Sequence, residues 1–325
     1  MEVRFVTPDG MTAHPVEAVA SLRARTDGLV WVDASATEDG VAELLRDGFG
    51  AHPLVIEACL RRNHVPTVHG YGDAFFLVQH TPLLGPAGHV HLLELDQLIG
   101  PDFLVTVHGP INPVVDPAQA MTETELAARR IDDGRLHATS PMRLAYAIGS
   151  AGARRQRALV GDVAEKLPGL EQEVMTSRLR DPEQLLEQLF LIRHELTTAR
   201  TMAAQCHDVV ARLHHLGRGL ADSDRELVDD LADQLDRVRS LADGESQFLF
   251  GVIDLYQTKV NTKMTVAMER LAVIAAVTLP ITAIASIYGM NILGPHQHLE
   301  LALVLLVMLL MSAQLLRWAR RQGWW

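Results

Sequence analysis

Leu271-Ala-Val-Ile-Ala-Ala-Val-Thr-Leu-Pro-Ile-Thr-Ala-Ile-Ala-Ser-Ile-Tyr-Gly-Met290 carries no charge over twenty residues, and Asn291 follows it. A second stretch, Leu301 to Leu316, has only Ser312 and Gln314 as polar interruptions. At about 1.5 Å of rise per residue, ~20 helical residues cross a hydrocarbon layer of ~30 Å. Two such spans joined only by Asn291 to His298 predict a helical hairpin through a membrane. The short loop then holds the tetrapeptide Tyr288-Gly289-Met290-Asn291 at one membrane face.

Working outward, Arg317, Arg320 and Arg321 follow the second span directly, whereas the loop has no Lys or Arg. Cytoplasmic flanks carry the excess of cations, so the tail is expected inside and the loop outside. Two crossings return the chain to its starting side. The first twenty residues, with Glu2, Arg4, Pro8 and Asp9, lack the apolar core of a secretory signal. The expected location is therefore the cell (plasma) membrane, with both termini cytoplasmic.

Upstream of the spans, Leu227, Leu231, Leu235, Val238 and Leu241, then Phe248, Val252 and Leu255, recur at helical spacings. No strong breaker separates this stripe from Leu271, although Gly244 and Gly251 weaken it locally. One helix from about Asp224 to Tyr288 would be roughly 95–100 Å long. A small domain cannot cover a helix of that length, so copies of the chain are expected to pack their long helices around an axis.

The first 135 or so residues alternate strand and helix signals. Gly28–Asp33, Ala74–Val78, His89–Leu95 and Phe103–Val107 read as strands, and Glu38–Phe49 and His52–Arg62 as helices, predicting an α/β domain with a mixed sheet. From Pro141 the strand signal stops. One helix is expected to end near Ser177, bent at Pro168-Gly169, and another to start at Asp181-Pro182 and run to about Leu216. The fold class is thus an α+β membrane protein. It comprises a cytosolic α/β domain over 1–138, a helical hairpin over 139–221 and a stalk helix continuing into the first span over 222–290. An outer loop over 291–298, the second span over 299–318 and a basic tail over 319–325 complete it.

A net charge of −11 excludes a phosphate-tracking nucleic-acid binder. Cys59 and Cys206 have no metal-binding spacing. Acidic residues crowd 221–245, either as a cation site or as a solvated helix face. An enzyme is not indicated: His194-Glu195 meets Thr198 where a zinc-protease helix needs a second His, and no nucleophile motif, phosphate loop or cysteine pair is present.

Tyr288-Gly289-Met290-Asn291 after an uncharged span, a second span and the tail Arg320-Arg321-Gln322-Gly323-Trp324-Trp325 together resemble the CorA family of divalent cation transporters, which includes ZntB-like zinc transporters. The resemblance extends to Val30-Trp31-Val32-Asp33 and Ala74-Phe75-Phe76-Leu77-Val78. It implies a homopentameric funnel with the first spans lining an axial pore and the second spans outside them. Magnesium, with cobalt or nickel as further substrates, is the implied ion, and zinc, moved by a proton-coupled mechanism, the alternative. Divalent cations, membrane lipid and further copies of the chain are the expected partners; no prosthetic group is implied.

Five Asn291 carboxamides, with Gly289 and Met290 in the same turn, would grip the hydration shell of magnesium, an ion that prefers six oxygens and dehydrates reluctantly. Gly and Asn also favour helix ends, so the motif reads equally as a C-cap. Thr278, Thr282 and Ser286 share a face, with Thr282 matching a pore threonine of the family; local bonding of each hydroxyl to its own helix is the other reading. By the same match Met268, Leu271, Ala275 and Leu279 would narrow the axis, and an apolar constriction stops ions when it dewets, although a Leu or Met stripe also fits ordinary helix packing. Asp230 matches a stalk aspartate that helps bind regulatory magnesium between subunits, and Asp233 lies on its face. The loop departs from the acidic outer loop common in the family. It reads Ile292-Leu-Gly-Pro-His-Gln-His298, whose His296 and His298 suit zinc, nickel or cobalt better than magnesium.

Overall fold

The computed structural model describes residues 1–85, 88–176, 182–217, 220–289 and 297–321, without the side chains of 182, 288, 289 and 297–300. The chain divides into two compact units, Met1–Phe250 and Gly251–Trp325.

The first unit is built on seven strands: β1 (Glu2–Thr7), β2 (Gly10–His14), β3 (Leu29–Ser35), β4 (Thr67–Tyr71), β5 (Ala74–Leu84), β6 (Val90–Ile99) and β7 (Phe103–His108). They form one sheet in the order β2-β1-β3-β7-β6-β5-β4. Only β3 and β7 run parallel, so the sheet is mixed, as the sequence predicts. Its helices are α1 (Val19–Arg23), α2 (Val41–Glu43), α3 (Pro53–Leu60), α4 (Pro117–Ala120), α5 (Thr122–Asp132), α6 (Pro141–Thr176) and α7 (Pro182–Leu216). The helix expected over Glu38–Phe49 is broken. Gly40 at φ 85° delays its start to Val41, and after Glu43 the chain widens into a π turn over Leu44–Gly48. His52 caps α3, its Nδ1 accepting from the Leu54 amide at 3.2 Å.

Strand residues alternate between two cores with the period of two that a pleated sheet imposes. Leu29 and Trp31 of β3, Leu77 of β5 and Leu104 of β7 pack with Ile148, Val210 and Leu235. Val30 and Val32, Phe76 and Val78, and Val105 and Val107 face the other way, onto Val19, Leu22, Val55 and Cys59. The sheet is therefore sandwiched between helix layers.

The long helix α8 (Asp222–Gly289) starts in the first unit and ends in the second. Its buried line is Val228, Leu231, Leu235, Val238, Ala242, Leu249, Val252 and Tyr256. Of the stripe read from sequence, Leu231, Leu235, Val238 and Val252 lie on this line, whereas Leu241 and Phe248 are exposed and Leu227 and Leu255 half-buried, their places on it taken by Val228, Ala242, Leu249 and Tyr256. Leu241, Phe248 and Leu255 recur every seven positions, an apolar row that this chain covers only in part. Close approach to α8 is permitted at Gly149 of α6, where a Cβ would stand 2.8 Å from Leu231 Cδ2.

The second unit holds the remainder of α8 and α9 (Gln297–Arg321). Both helices are long and apolar enough to cross a membrane.

Candidate functional site

At 3.6 residues per turn, Met268, Leu271, Ala275, Leu279 and Thr282 fall within about 80° of one another around α8. The stripe is uncovered in the single chain: Leu271 is 65% and Leu279 68% exposed. Thr278 Oγ1 donates to the Ile274 carbonyl and Thr282 Oγ1 to the Thr278 carbonyl, each at 2.8 Å. Each hydroxyl is thus satisfied inside its own helix, yet its oxygen keeps acceptor lone pairs for a passing hydrated cation. Pro280 lies inside α8, and having no amide it leaves the Ala276 carbonyl without its usual donor.

Farther up α8, Asp230 and Asp233 are both exposed. Tyr146 Oη donates to Asp230 Oδ2 at 2.6 Å and Gln234 Nε2 to the same oxygen at 2.5 Å. The Tyr146 bond, aided by Gln234, holds the Asp230 carboxyl below the usual carboxylate range, so it stays ionised. Several other acids of this region pair with bases of the same chain: Asp222 with Arg225, Asp236 with Arg239 and Asp243 with Arg200. Among the described residues, no three His, Cys, Asp or Glu side chains gather around a metal position.

The sequence profile of CorA-like Mg2+ transporter proteins matches residues 26–321, nearly the whole chain. This chain belongs to the CorA family. YfjQ of Bacillus subtilis is 24% identical over 298 residues, spanning 90% of this chain and 89% of that protein. The cobalt/magnesium transport protein CorA of Thermotoga maritima is 24% identical over 257 residues, 77% of this chain and 69% of that protein. The complete structure of the CorA magnesium transporter from Methanocaldococcus jannaschii superposes with a TM-score of 0.79 at 19% identity, covering 100% of this chain and 98% of that one. As a CorA-family protein the chain is a membrane-embedded divalent cation transporter and not an enzyme, with metal ions as substrate.

Of the residues expected at the entrance and outer loop, Gly289 is the last residue of α8, while Met290, Asn291 and His296 lie outside the described residues. His298 falls in the first turn of α9, and its side chain is also outside the description. Asp181, expected as a helix cap, lies outside it as well.

Sequence reasoning missed the polar groups buried in the sheet. Asp33 Oδ1 accepts from Thr106 Oγ1 at 2.5 Å and meets His108 Nε2 at 2.8 Å, tying β3 to β7. Burial pushes the Asp33 carboxyl up, but His108, Thr106 and Thr124 together outweigh it and hold it below the usual range. Asp96 is fully buried, with only the weak thiol donor of Cys59 near its carboxyl. Burial first and the nearby Glu94 second push its carboxyl well up. The only sequence signal for either group was a charged residue inside a run that otherwise reads as a fully buried strand.

Proposed function

We propose that five copies of this chain surround an axial path in the plasma membrane and conduct magnesium, with cobalt and nickel as further substrates, both termini lying in the cytoplasm. Hydrated cations are held at a ring of Asn291 carboxamides with Gly289 and Met290. They then pass Thr282 and the apolar narrowing of Leu279, Ala275, Leu271 and Met268. The observation that carries this reading is the stripe on α8. Met268, Leu271, Ala275, Leu279 and Thr282, with Ser286 on the same face, are left without cover by the chain itself. Hydroxyls in an apolar row gain nothing from lipid, whereas they supply oxygens where an ion sheds part of its hydration.

Asp230, with Asp233 one turn on, is the regulatory position. Cations bridging these carboxylates between neighbouring copies hold the stalks together, and depletion lets the charges repel. The Tyr146 phenol keeps Asp230 ionised and ready for this.

His296 and His298 favour a second reading, a zinc transporter driven by protons, since imidazole is a better ligand for zinc than for magnesium. Flux into liposomes distinguishes the two. Magnesium uptake that disappears in Asn291→Ala and ignores a proton gradient supports the channel. Zinc-selective uptake that follows the gradient supports the alternative, and no flux of any divalent ion defeats both.

A further inference from the structure

Lys259, Lys263 and Arg270 lie within about 40° of one another around α8, and the centre of that stripe is about 140° from the centre of the Met268–Thr282 stripe. These cations therefore stand on the back of the helix and take no part in the ion path. Glu269, the only acid from 259 to 270, points about 100° away from them. At the end of α9, which returns to the same membrane face, Arg317 and Arg321 lie about 160° around the helix from the buried Ala319, and Arg320 about 100° from it. The exposed Trp318 is about 60° beyond Arg321. Lys263, Arg270, Arg317 and Arg321 form no ion pair among the described residues.

A shallow groove whose lining comes from α8 alone runs past Thr262, Lys263, Val266, Arg270 and Ile274 on the cationic side and reaches Leu271, at the edge of the Met268–Thr282 stripe. Its composition changes along its length. The Lys263 end is polar, and beyond Arg270 the lining becomes the apolar start of the span. That gradient is the gradient of a phospholipid, with phosphate at one end and acyl chain at the other.

We propose that this groove is a binding site for an anionic phospholipid, its headgroup phosphate held by Lys263 and Arg270 with the α9 arginines closing the basic rim. The flanking cations alone would satisfy the charge bias that orients membrane proteins. That bias does not require them to align on one face, turned away from the ion path and above an apolar groove. Such a site couples lipid composition to the first span, because the lipid grips the same helix whose other face carries the constriction. The inference rests on the two spans crossing a membrane and not on which ion is carried. Loss of flux with lipid preference intact would leave it standing.

The test uses the full chain in phosphatidylcholine vesicles with increasing brominated phosphatidylglycerol, whose bromines quench tryptophan at the membrane boundary. Trp318 is exposed there and reports with Trp324 and Trp325 of the same basic tail, while Trp31 is fully buried in the sheet of the first unit. The expected result is quenching by brominated phosphatidylglycerol at several-fold lower mole fraction than by brominated phosphatidylcholine, since each basic residue near the surface contributes about fivefold. Lys263→Gln with Arg270→Gln should bring the ratio close to one. If that variant fails to assemble, the wild-type protein decides: 0.5 M salt, on the order of a 4–5 Å screening length, must remove the preference. Equal quenching by both lipids, a preference that survives the double substitution or the salt, or displacement of phosphatidylglycerol by millimolar inorganic phosphate would overturn the proposal.

Discussion

Trp31 and Leu279 are both large apolar residues in runs of apolar sequence, yet Trp31 is 0% and Leu279 68% exposed. The difference holds across the two units. In the sheet, Val30, Trp31, Val32, Leu77, Val78 and Leu104 are all buried by other parts of the same chain. In the spans, Leu271, Ile274, Leu301, Leu305 and Leu309 remain exposed. The first unit completes its core from one sequence, whereas the second leaves its apolar surface uncovered by its own chain. Residues of the first unit should therefore govern stability, and those of the second unit flux.

The largest expected effect breaks the first half of that comparison. Trp31→Ala empties a fully buried site and deprives Thr106 of the indole donor that meets it at 3.1 Å. A loss of about 3–5 kcal/mol is expected, read as a fall in the thermal midpoint of the first unit. Leu279→Ala should change that midpoint by less than about 0.5 kcal/mol while altering flux. A destabilisation by Leu279→Ala equal to that of Trp31→Ala would show that the spans have a core of their own.

A smaller effect sharpens the account of the first unit through pH. The Asp33 carboxyl is held low, so its contribution is present above the unfolded pKa of about 3.9 and is lost as pH falls through the folded value. Asp33→Asn should cost about 1–3 kcal/mol near neutrality, and the gap from wild type should close in acid. Asp96 behaves oppositely. Its folded form retains a proton that the unfolded form has released, so wild-type stability declines as pH rises from about 4 toward the raised folded value. Asp96→Asn should match wild type in acid and exceed it at neutral pH in thermal melts. Parallel melting curves for wild type and both variants from acid to neutrality would contradict both assignments.

Asp230, in the first unit but exposed, is the exception: Asp230→Ala should leave the melt of that unit nearly unchanged and make flux less sensitive to magnesium on the side of the first unit. The assay is uptake into liposomes preloaded with magnesium, and unaltered inhibition would remove Asp230 from regulation. The smallest effect expected is that of Thr282→Val, which keeps the shape and deletes one oxygen per copy. Uptake should fall less than tenfold, a loss of about 1 kcal/mol of ion stabilisation.

How much was legible follows from the same contrast. The spans announced themselves because the composition of twenty consecutive residues is a local property. The central strands β3, β5, β6 and β7 were legible for a similar reason, as apolar runs. The outer strands β1, β2 and β4 were not: Gly10-Met-Thr-Ala-His14 and Thr67-Val-His-Gly-Tyr71 hold few apolar residues, and neighbours across the sheet fix them. Tyr146, the partner of Asp230, lies 84 residues away on another helix, and no spacing in the sequence links the two. Which residues of α8 the chain itself buries was not legible, because Leu241 and Phe248 outrank Ala242 and Leu249 in bulk but not in burial.

The central claim is that one face of the first span lines the ion path. The native thiols Cys59 and Cys206 are both buried, which leaves a quiet background for single cysteines placed in the span. Thr282→Cys and Val277→Cys, on opposite sides of α8, should be reconstituted separately and magnesium uptake followed before and after a small cationic thiol reagent is added. The account predicts block of Thr282→Cys and no change in Val277→Cys; equal block of both, or block of Val277→Cys alone, would contradict it.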